Sequence, residues 1–268
     1  MSREKLSLSE PRARLAQVLR AAHEVVSIDV VTESLGMDRR SAAKLLSRWR
    51  EQGWLRRIGH GLYVPVPLEL SGSEQVLEDP WVLVPTLFGQ CYVGGWSAAH
   101  HWELTEQLFN ETMIFTANRI GAHKVNAQGA IFRLHHAASK RFYGLKTLWR
   151  GSVRVNISDP ARTLIDMIAA PETGGGIDHV TECLETYLQH QSGDRQSLLS
   201  YADRFGNGAV FKRMGFLAET RLNDPELAAA CRARLTQGNT KFDPALQCTK
   251  LVTAWRLWVP PRWKDGAP

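Results

Sequence analysis

The chain has 268 residues, 44% of them hydrophobic and 22% charged, the balance of a soluble globular protein with one large domain or two to three smaller ones. The opening residues Met1-Ser2-Arg3-Glu4-Lys5 lack the apolar core of a secretory signal, and no run of about 18 apolar residues occurs, so neither that export route nor a membrane span is expected. The positive excess is local: residues 1–67 hold 12 Lys and Arg against 7 Asp and Glu, while the remaining 201 residues hold 21 against 20, so a polyanionic partner is expected for the first quarter alone.

In chain order, Pro11 to Ala22 carries Leu15, Val18 and Leu19 at helical spacing, with Pro11 suited to a first turn. The segment His23-Glu24-Val25-Val26 breaks that pattern. Ser27 then caps a second helix, Ile28 to Leu35, in which Ile28, Val31 and Leu35 share a face, and Gly36 supplies a sharp turn. Asp38 caps a third helix that runs to about Gln52 and is closed by Gly53. Ala42, Leu45, Leu46 and Trp49 fall on one face of it, at the spacing of a buried stripe. Arg40, Lys44 and Ser47 fall on the other, flanked by Arg39, Ser41 and Arg48.

Two short β-like runs follow, Trp54 to Ile58 and Leu62 to Val64, joined by Gly59-His60-Gly61. Helix, helix, turn, basic helix and glycine-tipped hairpin is the order of a winged helix-turn-helix, whose third helix would enter the major groove of double-stranded DNA while the wing lies along the backbone. The candidate DNA-binding residues are therefore Arg39, Arg40, Ser41, Lys44, Ser47, Arg48, Arg56, Arg57 and His60. A basic amphipathic helix alone would more often be a solvated face; here the whole order of elements agrees.

Residues 65–80, "PVPLELSGSEQVLEDP", are rich in Pro, Ser, Gly and acids, which places a linker at 68–80 between domains spanning 1–67 and 81–268. The second domain mixes helix-like and strand-like segments: Trp81 to Leu87, Gln90 to Val93, Glu111 to Thr116, Ala130 to His135 and Ser152 to Ile157. A helix capped by Ser158 or Asp159 follows, with Pro160 at its first position and Leu164, Ile165 and Ile168 inward. After a break at Pro171 to Gly176 come helices at about Ile177 to Gln191 and Arg195 to Phe205, and "TKLVTAWRLWVPPRW" reads as a closing strand. The fold class is α+β: a winged helix-turn-helix followed by a larger mixed domain.

The stretch "YVGGWSAAHHWEL", residues 92–104, is the one that most resembles chemistry. Strand, paired glycines and helix is how many proteins present backbone N–H groups to a phosphate, and minimal nucleotidyltransferases open this way. Such an enzyme needs paired carboxylates on the next strand to hold Mg²⁺. That strand, "NETMIFTANR", offers only Glu111, and Asp159 and Asp166 lie on a later helix. Ser97 is not in GxSxG, and no Cys has a convincing His partner in the sequence. Cys91, Cys183, Cys231 and Cys248 show no CxxC spacing, which fits a reduced, cytoplasmic protein without a zinc site or disulfide framework. His100 and His101 on a helix point about 100° apart, and His135 and His136 on a strand point to opposite faces, so neither pair chelates one metal. The glycine pair reads as a backbone requirement of the turn, no catalytic residue, metal or cofactor is assigned, and the chain is read as a non-enzyme.

Several segments together resemble the AbiEi family, the antitoxins of type IV toxin–antitoxin systems: "GWLRRIGHGLYVP", "YVGGWSAAHHWELTEQ", "ISDPARTLIDMI", "FKRMGFLAET" and "AWRLWVP". The departures are His101 and a rather polar "ELTEQLFNET". The resemblance implies an N-terminal domain that binds inverted repeats in its own operator and represses transcription. It also implies a C-terminal domain that counteracts a cognate nucleotidyltransferase toxin. Two other classes stay open from the residues themselves: a winged-helix regulator whose C-terminal domain binds a small ligand, and a DNA-targeted nucleotidyltransferase or nuclease whose carboxylates converge only in three dimensions.

Overall fold

The computed structural model describes residues 10–22, 25–59, 61–66, 79–151, 153–189 and 194–263. It divides into two compact units: the first holds residues 1–89 with 126–130 and 149–155, the second residues 90–125, 131–148 and 156–268.

In the first unit the order is α1 (Glu10–Ala21), β1 (Val26–Ser27), α2 (Ile28–Leu35), α3 (Arg39–Glu51), β2 (Leu55–Gly59) and β3 (Leu62–Pro65). Local chemistry sets the boundaries. Ser27 Oγ accepts from the Val30 N–H at 3.2 Å to start α2. Gly36, at φ 61°, ends α2 by returning its N–H to the Thr32 carbonyl. Asp38 then accepts from the N–H groups of Arg40 and Ser41 at 2.9 and 3.0 Å, and the Ser41 hydroxyl donates to it at 2.7 Å. These bonds, that of the Ser41 hydroxyl first, hold its carboxyl below the usual range. Val18, Val31, Ala42, Leu46 and Trp49 have no exposed surface and form the core with Leu55 and Tyr63, while Leu15, Leu19, Ile28, Leu35 and Leu45 are half-buried against it. The apolar stripe of α3 thus does face the core, with Leu45 at its margin. The sequence shows no strand before α2. Val26 and Ser27 nevertheless pair antiparallel with Tyr63 and Leu62, which makes a three-stranded sheet in the order β1-β3-β2. This is the winged helix-turn-helix.

Of the linker, residues 68–78 lie outside the described residues. Asp79 accepts from the Trp81 N–H at 2.9 Å and opens a 3₁₀ turn, Pro80–Leu83, which leads into α4 (Val84–Phe88).

The second, larger domain is mixed α+β. The strands β4 (Cys91–Val93), β5 (Glu111–Thr116), β6 (Lys124–Ala127), β7 (Ala130–His136), β8 (Leu145–Arg150) and β9 (Val153–Ser158) form a six-stranded sheet in the order β6-β7-β5-β4-β9-β8, of which residues 126–127, 130, 149–150 and 153–155 are counted with the first unit. Strand β5 pairs with β4 antiparallel and with β7 parallel, from Glu111 opposite Ile131 to Thr116 opposite His136. Helix α5 (Gly95–His101) joins β4 to β5, and α6 (Pro160–Ala169) follows β9. Asp159 caps α6, Pro160 opens it, and every residue from Ala161 to Ile168 is buried. A helix buried all round is the hub of its domain, and α5, α7 (Ile177–Gln189), α8 (Arg195–Phe205) and α9 (Gly208–Thr220) pack on it.

Helix α9 comes from "FKRMGFLAET" and is followed by α10 (Pro225–Arg232). Buried Arg213 of α9 donates to the Ile168 and Ala169 carbonyls, both at 2.8 Å, and to the Lys241 carbonyl at 2.8 Å. A guanidinium there satisfies carbonyls that the end of α6 leaves open and opposes the negative pole of that helix. The expected closing strand is a hairpin instead: β11 (Lys250–Val252) and β12 (Leu257–Val259) are separated by a 3₁₀ turn, Thr253–Trp255, and β10 (Thr240–Lys241) pairs parallel with β12. Trp255 forces the break, because its ring is fully buried and its indole N–H donates to Glu219 of α9.

Candidate nucleic-acid interface

Helix α3 buries Ala42, Leu46 and Trp49 and exposes the opposite face. Arg39, Arg40, Ser41, Lys44 and Arg48 are exposed, and Ser47 is half-buried. Their partners separate them. Arg39 is ion-paired with Asp29 of α2, Ser41 is bound to the cap residue Asp38, and Ser47 donates to Glu51 at 3.2 Å. The side chains of Arg40, Lys44 and Arg48 have no hydrogen-bond or ion-pair partner among the described residues. Four residues apart, they form a stripe that rises about 6 Å per step along the helix.

On the wing, Arg56 is half-buried and donates to Gln128 at 2.9 Å within the same unit, whereas Arg57 is exposed. His60 lies outside the described residues. The geometry therefore brings Arg40, Lys44 and Arg48 together as one solvent-facing cationic edge. It sets Arg39, Ser41, Ser47 and Arg56 apart as residues that already hold intramolecular partners.

The glycine turn has a packing explanation. Gly94, extended at φ −145°, is the residue before α5, and Gly95, at φ 54°, is its first. A Cβ on Gly95 would lie 2.1 Å from the Thr173 carbonyl oxygen, and one on Gly94 would lie 2.6 Å from the Phe115 ring. The space a phosphate would need is filled by the turn after α6 and by β5. Glu111 is likewise engaged, with Lys124 at 2.7 Å and Arg133 at 2.8 Å on its two oxygens, and the Lys124 ammonium first among its partners lowers its pKa. Asp166 faces Arg162 and Tyr92, not a second carboxylate. Among the described residues no three His, Cys, Asp or Glu side chains converge as a metal set. No helix among them is long and apolar enough to cross a membrane.

One pairing escapes a reading of the sequence. Cys183 Sγ lies 3.7 Å from His179 Nε2, one turn away on α7. It is not an activated nucleophile: burial pushes the thiol up to about 12, and both ring nitrogens of His179 are engaged, by the Gly174 carbonyl at 2.6 Å and Thr105 Oγ1 at 2.8 Å. The signal that could have found it is the i, i+4 spacing on one helix face. The thiols of Cys91 and Cys231 are also buried, and burial pushes them up to about 12.

The whole chain is similar to the crystal structure of the RV2827C protein from Mycobacterium tuberculosis, with a TM-score of 0.59 and 16% identity over 94% of this chain and 92% of that one, a likeness of fold. No match was found among curated proteins. Residues 13–66, from α1 through β3, match the model of a family described as "Transcriptional regulator, AbiEi antitoxin". The resemblance to AbiEi antitoxins, a family of transcriptional regulators, is thus carried by the winged helix-turn-helix of this chain.

Proposed function

We propose that residues 1–67 bind double-stranded operator DNA and repress transcription of the chain's own operon, and that residues 81–268, joined by the 68–80 linker, counteract a cognate nucleotidyltransferase toxin. The observation that carries the DNA reading is the stripe of Arg40, Lys44 and Arg48, exposed and without partners among the described residues, on the face of α3 opposite Trp49. A helix-turn-helix presents such a face to the major groove. Long cations that are not committed to carboxylates are free to displace counterions from phosphates. In this reading Arg40 or Lys44, toward the start of α3, reads a base edge, and the other cations of the stripe, with Arg57 on the wing, contact the backbone. The antitoxin half of the reading is supported by the family matched at residues 13–66 and by the resemblance that extends into "ISDPARTLIDMI" and "FKRMGFLAET".

The test uses the full chain. Lys44→Ala with Arg48→Ala should reduce operator affinity and lower the slope of log K against log salt by about 2, roughly 0.9 for each phosphate that is no longer neutralised. The same variant should still protect cells that express the cognate toxin. Affinity and slope equal to wild type would refute the recognition-helix assignment; loss of protection in a variant that stays folded would refute the separation of the two roles.

A further inference from the structure

The second unit contains a cavity of about 230 Å³ whose lining includes Phe115, His135, Arg141, Asp166, Phe205 and Asn207. It opens at the carboxyl ends of the parallel strands β5 and β7, where Phe115 and His135 are register partners with ring centroids 5.1 Å apart. A 3₁₀ turn, Ser139–Arg141, supplies the arginine, the middle of α6 the aspartate, the last residue of α8 Phe205, and the cap of α9 Asn207. Ends of parallel strands, where the chain must turn back, are frequent ligand positions.

The charges in this wall do not cancel. Arg162 has no exposed surface and sits 2.8 Å from Asp166, whose other oxygen accepts from the Tyr92 hydroxyl at 3.0 Å. That pair neutralises itself. Arg141, at the same cavity, makes no ion pair among the described residues. Its Nε is buried with no hydrogen-bond partner among the described residues, and its guanidinium carbon lies over the Phe205 ring, 4.0 Å from the centroid. A buried donor without a partner is rare in native proteins and marks a place that a further group completes. The rest of the lining includes the rings of Phe115, Phe205 and the half-buried His135, together with Ala137, Ala169 and Ala170. Burial also lowers the pKa of His135, which favours its neutral ring.

We infer that this cavity is a binding site for a small aromatic carboxylate, whose single negative charge pairs with Arg141 and whose ring lies against Phe115, His135 and Phe205. One negative charge balances the single uncompensated guanidinium. A dianion would exceed it beside Asp166, and a neutral ring would leave Arg141 unpaired. The site is independent of the DNA reading of α3, and it is what the ligand-responsive alternative requires.

The experiment is titration of the full chain with benzoate, benzamide and acetate, read by calorimetry and by the histidine ring resonances, with His135 assigned from His135→Gln. Saturable benzoate binding that shifts the His135 resonance is expected. Benzamide, the neutral isostere, and acetate, which lacks the ring, should each bind at least tenfold more weakly. Arg141→Gln should weaken benzoate at least tenfold, and Arg141→Lys should restore part of the loss. If Arg141→Gln does not fold, the benzoate-to-benzamide ratio and the His135 shift in the wild type decide the question. No benzoate binding, binding that leaves His135 unmoved, equal binding of benzamide, or undiminished binding by a folded Arg141→Gln protein would each overturn the proposal.

Discussion

Gly95→Ala separates a packing turn from a ligand-cradling one. At φ 54° an alanine in the left-handed region costs about 1–2 kcal/mol, and its Cβ would meet the Thr173 carbonyl at 2.1 Å and Met113 Cγ at 2.9 Å. Thr173 is almost fully buried between α6 and α7, so its backbone cannot yield cheaply, and overpacking of this kind adds about 1–3 kcal/mol. The sum, roughly 2–5 kcal/mol, should lower the melting temperature of the full chain by on the order of 10 °C. Gly94→Ala is the internal control. Its φ of −145° suits any residue, so what opposes it is the approach of its Cβ to two ring side chains, Phe115 at 2.6 Å and Tyr92 at 3.1 Å, which stack on each other. It should melt between Gly95→Ala and wild type in thermal scans followed by circular dichroism. A Gly95→Ala protein that melts with the wild type would show that the turn is not closed by Thr173 and would return the phosphate-binding reading to contention.

In the first unit, Trp49→Ala should cost about 3–5 kcal/mol as a core cavity. Trp49→Phe should cost less than half as much, since it also removes the indole N–H, which is buried without a partner; denaturant titration measures both, and a folded Trp49→Phe protein with weakened DNA binding would contradict a purely structural role. For Asp166, burial pushes the carboxyl up from 3.8 to about 6, against the opposing pull of Arg162. A raised folded pKa contributes stability that is fully present below pH 3.8 and is lost as pH rises through 6, on the order of 3 kcal/mol in all. The stability of wild type relative to Asp166→Asn should therefore fall between pH 4 and pH 6.5 in paired melts, and a difference that stays constant or grows would refute the assignment.

How much can be read from the sequence depends on how local each cause is. The bounds of α2 and α3 follow from Ser27, Gly36 and Asp38, whose side chains or φ angles act within four residues, and both helices lie where those residues place them. Strand β1 is invisible in the sequence because two residues carry no periodicity; its pairing with β3 is a tertiary fact. Alternation in "AWRLWV" suits a single closing strand, while the Trp255 turn that divides it is imposed by Glu219 on α9. The cavity residues, spread from Phe115 to Asn207, share no spacing at all. Strand alternation sets His135 and His136 on opposite faces and so excludes a chelating pair, but it cannot disclose that Arg141 and Phe205 stand beside them.

The partners of the arginines sharpen what net charge alone suggests. In the second unit Arg162 is paired with Asp166, Arg195 with Asp224, Arg232 with Glu219, Arg234 with Asp203 and Arg262 with Asp178, while Arg213 is bound to backbone carbonyls. A guanidinium that keeps a carboxylate partner has little to gain from a phosphate, because the exchange replaces one ion pair with another and releases few counterions. Residues 68–268 hold 21 basic and 20 acidic residues, and these ion pairs commit five of their guanidinium groups to carboxylates. In α3 the opposite holds: among the described residues Arg40, Lys44 and Arg48 have no such partner to give up. On the proposed reading, the salt dependence of DNA binding by the full chain should report mainly on α3 and the wing. Arg234→Ala, which leaves Asp203 unpaired and makes the second unit more acidic, should leave that slope unchanged.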